Sequence, residues 1–71
     1  MIIKSIFSSN FDPKKRKLKS IKFVIIHYTG MQSERESINR LINRRSKVSC
    51  HYLINNKGKI FRMVEENRIA W

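Results

Sequence analysis

The sequence lacks the covalent links that usually stabilise a very small domain. It has one cysteine, Cys50, so the chain cannot form an internal disulfide. A domain of 71 residues buries only about 60% of its unfolded surface and usually relies on a disulfide, a metal or a partner. The single thiol therefore favours a reducing compartment or a partner subunit.

Acidic residues are also scarce, with 5 Asp and Glu against 16 Lys and Arg and a formal net charge of +11. A surplus of this size attracts polyanions such as nucleic acid, anionic lipid or acidic cell-wall polymers. Lys, Ile and Asn are frequent along the whole chain, however, so a compositional bias explains the charge equally well. The charge alone does not select a partner.

Long apolar runs are absent. The longest internal one, Phe23 to Ile26, is far shorter than the roughly 20 residues that span a bilayer. The apolar start of the chain is interrupted by Lys4 and followed by polar residues, unlike a secretory signal. The sequence therefore predicts a soluble, cytoplasmic protein without a membrane partner.

The first twenty residues are predicted to form a basic N-terminal loop region, 1–20. A turn-like segment, Ser8 to Pro13, precedes a basic run from Lys14 to Lys19. Proline and its polar neighbours favour a loop over a regular element.

A buried strand is predicted at Ile21 to Tyr28. β-branched and aromatic residues form a continuous apolar stretch there, which suits a strand covered on both faces. His27 falls at the carboxyl end of this strand, where open α/β sheets build their sites.

A helix is predicted next, because Ser33 and Glu36 form a capping box at its start. Its narrow apolar face consists of Ile38, Leu41 and Ile42. This helix is expected to cover one side of the sheet.

A β-hairpin is predicted after the helix. Apolar side chains alternate from Val48 to Ile54, residues 55–58 supply turn residues, and a second strand runs from Lys59 to Val64. The fold class that follows is α/β, a mixed β-sheet with a flanking helix.

Two stretches, Phe23-Val24-Ile25-Ile26-His27-Tyr28-Thr29 and Val48 to Trp71, resemble the amino-terminal part of the zinc N-acetylmuramoyl-L-alanine amidases. That family also includes phage lysozyme-like amidases and the peptidoglycan recognition proteins. The resemblance implies an incomplete amidase-like fold, with residues 21–71 as the amino-terminal part of a truncated amidase domain. It also implies hydrolysis of the N-acetylmuramoyl-L-alanine amide bond of peptidoglycan by a zinc-activated water.

The resemblance assigns roles to few residues of this chain. His27 matches the first zinc ligand, and Tyr28, Thr29, His51 and Trp71 would line the substrate cleft. The family's second zinc-binding histidine follows its Ala-Trp pair, and the third ligand and the acidic catalytic residue come later. The expectation is therefore a catalytically incomplete fragment acting on muropeptides, paired with a separately encoded C-terminal half or left by a decayed gene.

Other readings of the same residues remain open. Taken alone, a histidine that closes an apolar strand, as His27 does, is more often structural than metal-binding, and it is the resemblance that favours the ligand role. Cys50 and His51 are adjacent in a predicted strand, so they point to opposite faces and do not readily share one metal ion. A nucleophilic Cys50 paired with His27 or His51 lacks a recognisable nucleophile elbow. A small buried thiol and a hydrogen-bonded sheet histidine are the favoured interpretation.

The alternative function is a small cationic, non-catalytic module that binds muropeptides or nucleic acid. The basic run with Lys22 supplies the clustered cations that nucleic-acid binding needs. The aromatic residues fall in predicted strands, however, and not in a stacking platform. A solvated basic loop is therefore favoured over a nucleic-acid site.

Overall fold

The computed structural model describes residues 3–27 and 33–71. Its regular elements are, in chain order, β1 (Ile3–Ser5), β2 (Phe11–Lys15), α1 (Glu34–Ile42), β3 (Tyr52–Ile54), β4 (Ile60–Arg62) and β5 (Arg68–Ala70). Short 3-10 turns lie at Leu18–Ser20 and Arg44–Ser46. Mixed sheets with one helix confirm the α/β class. Within the described residues, no helix is long and apolar enough to cross a membrane.

A three-stranded sheet carries the predicted hairpin. β3 and β4 pair antiparallel with Leu53 opposite Phe61, and β1 adds in parallel on the other side of β4. Gly58, at φ 80° in the connecting turn, occupies a conformation that side chains disfavour. The hairpin is confirmed, with shorter strands than the alternation predicts.

A two-stranded sheet joins β2 to β5 antiparallel, with Phe11 opposite Ala70. The predicted loop at Ser8 to Pro13 is therefore wrong from Phe11 onward. Pro13 fits because it falls within a register shift between Asp12 and Lys15, where its missing N–H breaks no regular ladder. The division of the chain at residue 20 stays a prediction.

The helix begins where the capping box places it. Ser33 Oγ accepts the backbone N–H of Glu36 at 3.1 Å, and Glu34 and Glu36 lie in the first turn, where negative charge complements the helix dipole. Ile38 and Leu41 pack against the core, but Ile42 is exposed, so the predicted apolar face is narrower by one residue.

The core is a small cluster on one face of the three-stranded sheet. Leu53, Phe61 and Met63 form its buried centre. Half-buried side chains surround this centre. They come from the residue after β1, from α1 and from the segment before β3, namely Ile6, Ile38, Leu41 and Cys50. α1 and the short segments next to β1 and β3 therefore cover this core.

The strand predicted at Ile21 to Tyr28 is wrong over the described residues 21–27. These residues have no regular structure, and Phe23 to Ile26 are exposed; Tyr28 lies outside the described residues. A strand apolar on both faces needs cover on both faces. The described chain offers one helix of 9 residues, and β4 already has a partner on each edge.

Asn10 connects the first segment to the rest of the fold. Its side chain is fully buried, and Nδ2 donates to the carbonyl oxygens of Leu41 at 3.2 Å, Asn43 at 2.8 Å and Val48 at 2.9 Å. Its own carbonyl oxygen accepts from Ser49 Oγ and from the Trp71 backbone N–H at 3.4 Å. One side chain therefore fixes the end of α1 and the segment before β3.

We predict that Asn10→Asp lowers the free energy of unfolding by at least about 2 kcal/mol. An oxygen would replace the amide donor and face three carbonyl oxygens at close range, and the Val48 carbonyl would lose its donor, whereas those of Leu41 and Asn43 keep donors from Ser8 and Ser46. Urea titration followed by circular dichroism measures the change. Asn56→Asp, in the exposed hairpin turn, carries the same charge change and should shift stability by less than about 0.5 kcal/mol. Equal losses in both variants would contradict the role given to Asn10.

Candidate functional site

His51 lies where the two sheets meet, held by the backbone and a guanidinium. Its Nε2 is 2.9 Å from the carbonyl oxygen of Arg68 and 3.1 Å from Nη2 of Arg16. A protonated Nε2 donates to the carbonyl, whereas a bare Nε2 accepts from Arg16, so this nitrogen is engaged in either tautomer. Both of these contacts use Nε2 and neither uses Nδ1.

Two arginines, Arg16 just after β2 and Arg68 on β5, hold these segments together beside His51. Arg16 Nε donates to the carbonyl oxygen of Glu66 at 2.7 Å, and Arg68 Nη1 donates to that of Pro13 at 3.1 Å. The Arg68 guanidinium also lies 5.1 Å from the centre of the Phe11 ring, within cation–π range. The basic run thus contributes one residue, Arg16, to the surroundings of His51.

Tyr52 forms a second polar pair beside His51. Its hydroxyl donates to Oε1 of Glu66, and the Arg62 guanidinium lies 6.0 Å from its ring centre. The hydrogen bond to Glu66, then burial and the negative charge of Glu66 raise the pKa of Tyr52, while Arg62 opposes the rise. Tyr52 is therefore protonated at neutral pH and acts as a hydrogen-bond donor.

We predict that Glu66→Gln lowers the pKa of Tyr52 towards its ordinary value, because it removes the carboxylate that repels the phenolate. Spectrophotometric titration of tyrosinate in a Tyr28→Phe background isolates this group, since Tyr28 is the other tyrosine. The raised pKa also makes the pair stabilising below the unfolded pKa, and this contribution is lost as the pH rises through the folded pKa. An unchanged titration curve in Glu66→Gln would remove Glu66 as the cause.

Cys50 faces the core and not the surface beside His51. Its half-buried side chain packs against the Leu53, Phe61 and Met63 cluster, and burial raises the pKa of its thiol. A protonated thiol is a poor nucleophile and a poor metal ligand. The structure supports the interpretation of Cys50 as a small buried side chain.

We predict that Cys50 reacts with iodoacetamide at pH 7.5 at least about tenfold more slowly than an unstructured cysteine peptide, because burial limits both access and thiolate formation. The native rate should approach the peptide rate in 6 M urea. A native rate equal to that of the peptide would show an exposed, ionisable thiol and would restore Cys50 as a candidate nucleophile.

Trp71 forms the wall of a small open pocket. The pocket has a volume of about 230 Å³ and is lined by Arg44, Lys47 and Trp71. The Arg44 guanidinium lies 5.6 Å from the centre of the indole ring. The segment is fixed by Ser49, whose N–H donates to the Trp71 carbonyl at 2.7 Å and whose Oγ accepts the Trp71 N–H at 2.9 Å. The surface of the pocket is almost entirely apolar, so Arg44 and Lys47 line it with their side-chain stems beside the indole ring, which suits an apolar part of a ligand.

The structure places two of the five sequence-predicted site residues, His51 and Trp71, on two neighbouring segments that pair with each other. His51 contacts the start of β5 and Trp71 follows its end, so both lie along the pairing of residues 49–51 with residues 68–71. His27 lies in the exposed segment before the helix. Tyr28 and Thr29 lie outside the described residues. The cleft assignments of all five residues stay predictions.

Asn10, Arg16 and Arg44 are the site neighbours that sequence reasoning missed. Their contacts join residues more than thirty positions apart or lie beside the final tryptophan. Arg16 was visible only as one member of a basic run, and Asn10 only as a polar residue in a presumed turn.

A zinc hydrolase needs three protein ligands around the ion. Among the residues that the structure describes, no three His, Cys, Asp or Glu side chains are placed to hold a metal. Nε2 of His51 is already engaged, and the thiol of Cys50 is packed into the core. These residues do not fit a zinc ion unaided.

The chain matches the family model described as N-acetylmuramoyl-L-alanine amidase over residues 17–71. The match covers well over half of the sequence, so the chain belongs to this family, whose members act on peptidoglycan and are generally zinc-dependent. Searches of curated proteins and of solved structures returned no match.

Proposed function

We propose that this chain supplies the amino-terminal part of a peptidoglycan amidase domain, including part of its site, and binds muropeptides there. The complete site would hydrolyse the amide between the lactyl group of N-acetylmuramic acid and L-alanine by a zinc-activated water. The family match over residues 17–71 is the observation that carries this proposal.

The proposed binding surface is the pocket formed by Arg44, Lys47 and Trp71. A muropeptide offers an apolar sugar face and carboxylates from its stem peptide. The pocket offers an apolar surface made of the indole ring and the stems of Arg44 and Lys47, and the same two side chains carry the cations that would pair with a carboxylate. Charge-assisted contacts to a carboxylate fix its orientation. The pocket is open to solvent, so each contact is worth less than it would be in a buried site.

His27 is proposed as the first zinc ligand, with the remaining ligands supplied from outside these 71 residues. The described side chains do not assemble a metal site of their own. A separately encoded C-terminal half is one source of the missing ligands. We therefore propose that the 71 residues alone bind substrate without turning it over.

A cytoplasmic location is proposed with this function. The chain's one cysteine is a free thiol packed against the core, an arrangement that a reducing compartment preserves. Such a location suits the recycling of muropeptides released from the wall.

We predict that the 71-residue chain binds a defined muropeptide and that Arg44→Gln weakens binding about fivefold at low salt, because it removes the exposed cation that lies beside the Trp71 indole. Isothermal titration calorimetry measures the affinity. Arg45→Gln, in the same 3-10 turn and outside the pocket lining, is the matched control and should bind as the parent chain does.

Mass spectrometry of the same mixtures, with added zinc and with a chelator, tests turnover. Zinc-dependent release of stem peptide would overturn the proposal that the 71 residues are catalytically incomplete. An absence of muropeptide binding at millimolar ligand would overturn the substrate-binding role.

The exposed basic run favours a second candidate, a cationic module that binds a polyanion such as nucleic acid. Lys14, Lys15, Lys17, Lys19 and Lys22 are all exposed. Binding by displacement of counterions would fall steeply with salt. This candidate requires no muropeptide pocket, so Arg44→Gln and Arg45→Gln should weaken it equally.

A further inference from the structure

Arg16 is fixed against the segment before β5 by two hydrogen bonds. Its backbone N–H donates to the carbonyl oxygen of Asn67 at 2.9 Å, and its Nε donates to that of Glu66 at 2.7 Å. The guanidinium is thereby held with Nη2 3.1 Å from Nε2 of His51. Arg16 lies immediately before the residues that match the family model, so this contact is a feature of this chain and does not follow from the match.

Nε2 of His51 contacts two groups with opposite requirements. A guanidinium donates hydrogen bonds and cannot accept them, whereas a backbone carbonyl accepts and cannot donate. The carbonyl oxygen of Arg68 lies 2.9 Å from Nε2, and Nη2 of Arg16 lies 3.1 Å from it. A neutral imidazole carries one proton, so Nε2 forms a hydrogen bond with one of these groups and is opposed by the other.

Charge decides between the two arrangements. With the proton on Nε2, the positively charged guanidinium of Arg16 faces an N–H group. With the proton on Nδ1, the bare Nε2 accepts a charge-assisted hydrogen bond from Arg16, and the opposed pair is a neutral nitrogen and a neutral carbonyl. Charge-assisted hydrogen bonds are about twice as strong as neutral ones. Arg16 and His51 are both half-buried, which reduces the screening of the charge by water.

We propose that Arg16 is a positioning residue that keeps His51 in the neutral tautomer with the proton on Nδ1. The proton makes Nδ1 a hydrogen-bond donor. It also leaves Nδ1 without the free lone pair that a metal-binding histidine nitrogen needs. His51 therefore meets a ligand as a donor to oxygen and not as a metal ligand.

The consequence for a substrate rests on the proposed muropeptide binding. His51 lies on the segment that pairs with residues 68–71, and Trp71 of the proposed pocket ends that stretch. A muropeptide carries amide and carboxylate oxygens along its stem peptide, and both kinds accept hydrogen bonds. The Nδ1 donor therefore selects an oxygen of the stem peptide.

Long-range proton–nitrogen NMR correlation spectra of the full chain locate the proton, because protonated and bare ring nitrogens give well-separated signals. A His27→Gln background leaves His51 as the remaining imidazole, since the chain has 2 histidines. At about pH 8, where an ordinary histidine is neutral, we expect the protonated signal at Nδ1. A protonated signal at Nε2 in this chain would overturn the proposal.

Arg16→Met removes the guanidinium and keeps an apolar side-chain stem. We expect the tautomer ratio of His51 to shift at least about tenfold towards a protonated Nε2, because the Arg68 carbonyl is then the one of the two groups that remains. Lys17→Met removes the same charge from the next residue, which is exposed, and should leave the ratio unchanged. Circular dichroism checks that both variants keep the parent fold. An unchanged ratio in folded Arg16→Met, or equal shifts in both variants, would show that Arg16 does not set the tautomer.

Calorimetric titration with a defined muropeptide tests the consequence for the substrate. Arg16→Met should weaken binding about fivefold through the lost donor at Nδ1. His51→Asn keeps a donor in place of Nδ1 and has no Nε2, so adding Arg16→Met to it should have no further effect. A further loss in that background would mean that Arg16 contacts the ligand directly and would overturn the positioning role.

The tautomer is measured without a ligand, so the two proposals fail separately. A chain that shows the proton on Nδ1 but binds no muropeptide would overturn the proposed function and support the role of Arg16. A chain that binds muropeptide with the proton on Nε2 would do the reverse.

Discussion

The buried amide of Asn10 is the interaction on which the rest of this small structure depends. It joins the end of α1, the chain after the helix and the segment before β3 through three carbonyl oxygens. A reversed amide would set Oδ1 against those carbonyls, so the donor orientation is fixed by its surroundings. The pairing of β2 with β5 joins the first segment to the last, and Asn10 ties that pair of strands to the end of α1 and to the chain before β3.

A charged side chain and the backbone of a paired strand determine the surroundings of His51. The guanidinium of Arg16, just after β2, and the backbone carbonyl of Arg68, on β5, both contact Nε2 of the imidazole, and Tyr52 with Glu66 forms a polar pair next to it. These groups support a binding surface, while the described residues provide no metal centre. That division fits a family member whose proposed catalysis needs ligands from outside these 71 residues.

Local signals predicted the helix and the hairpin, and residue pattern predicted the family. Ser33 and Glu36 define a helix start through their own side chains and backbone, and residues 55–58 define a turn in the same local way. β2 escaped prediction because its partner, β5, lies more than fifty residues later. The strand predicted at Ile21 to Tyr28 is wrong over its described residues, because an apolar run forms a buried strand only where other elements cover both of its faces.

The sequence by itself determined the family, the α/β class, the cationic surplus and the two locally coded elements, because each depends on neighbouring residues or on composition. Only the tertiary structure decided that Asn10 is central, that Cys50 faces the core, and that His51 lies beside Arg16 and Arg68. It also decided that Phe23 to Ile26 are exposed. These features depend on contacts between distant parts of the chain, and the free energy of such contacts is set by the whole fold and not by local pattern.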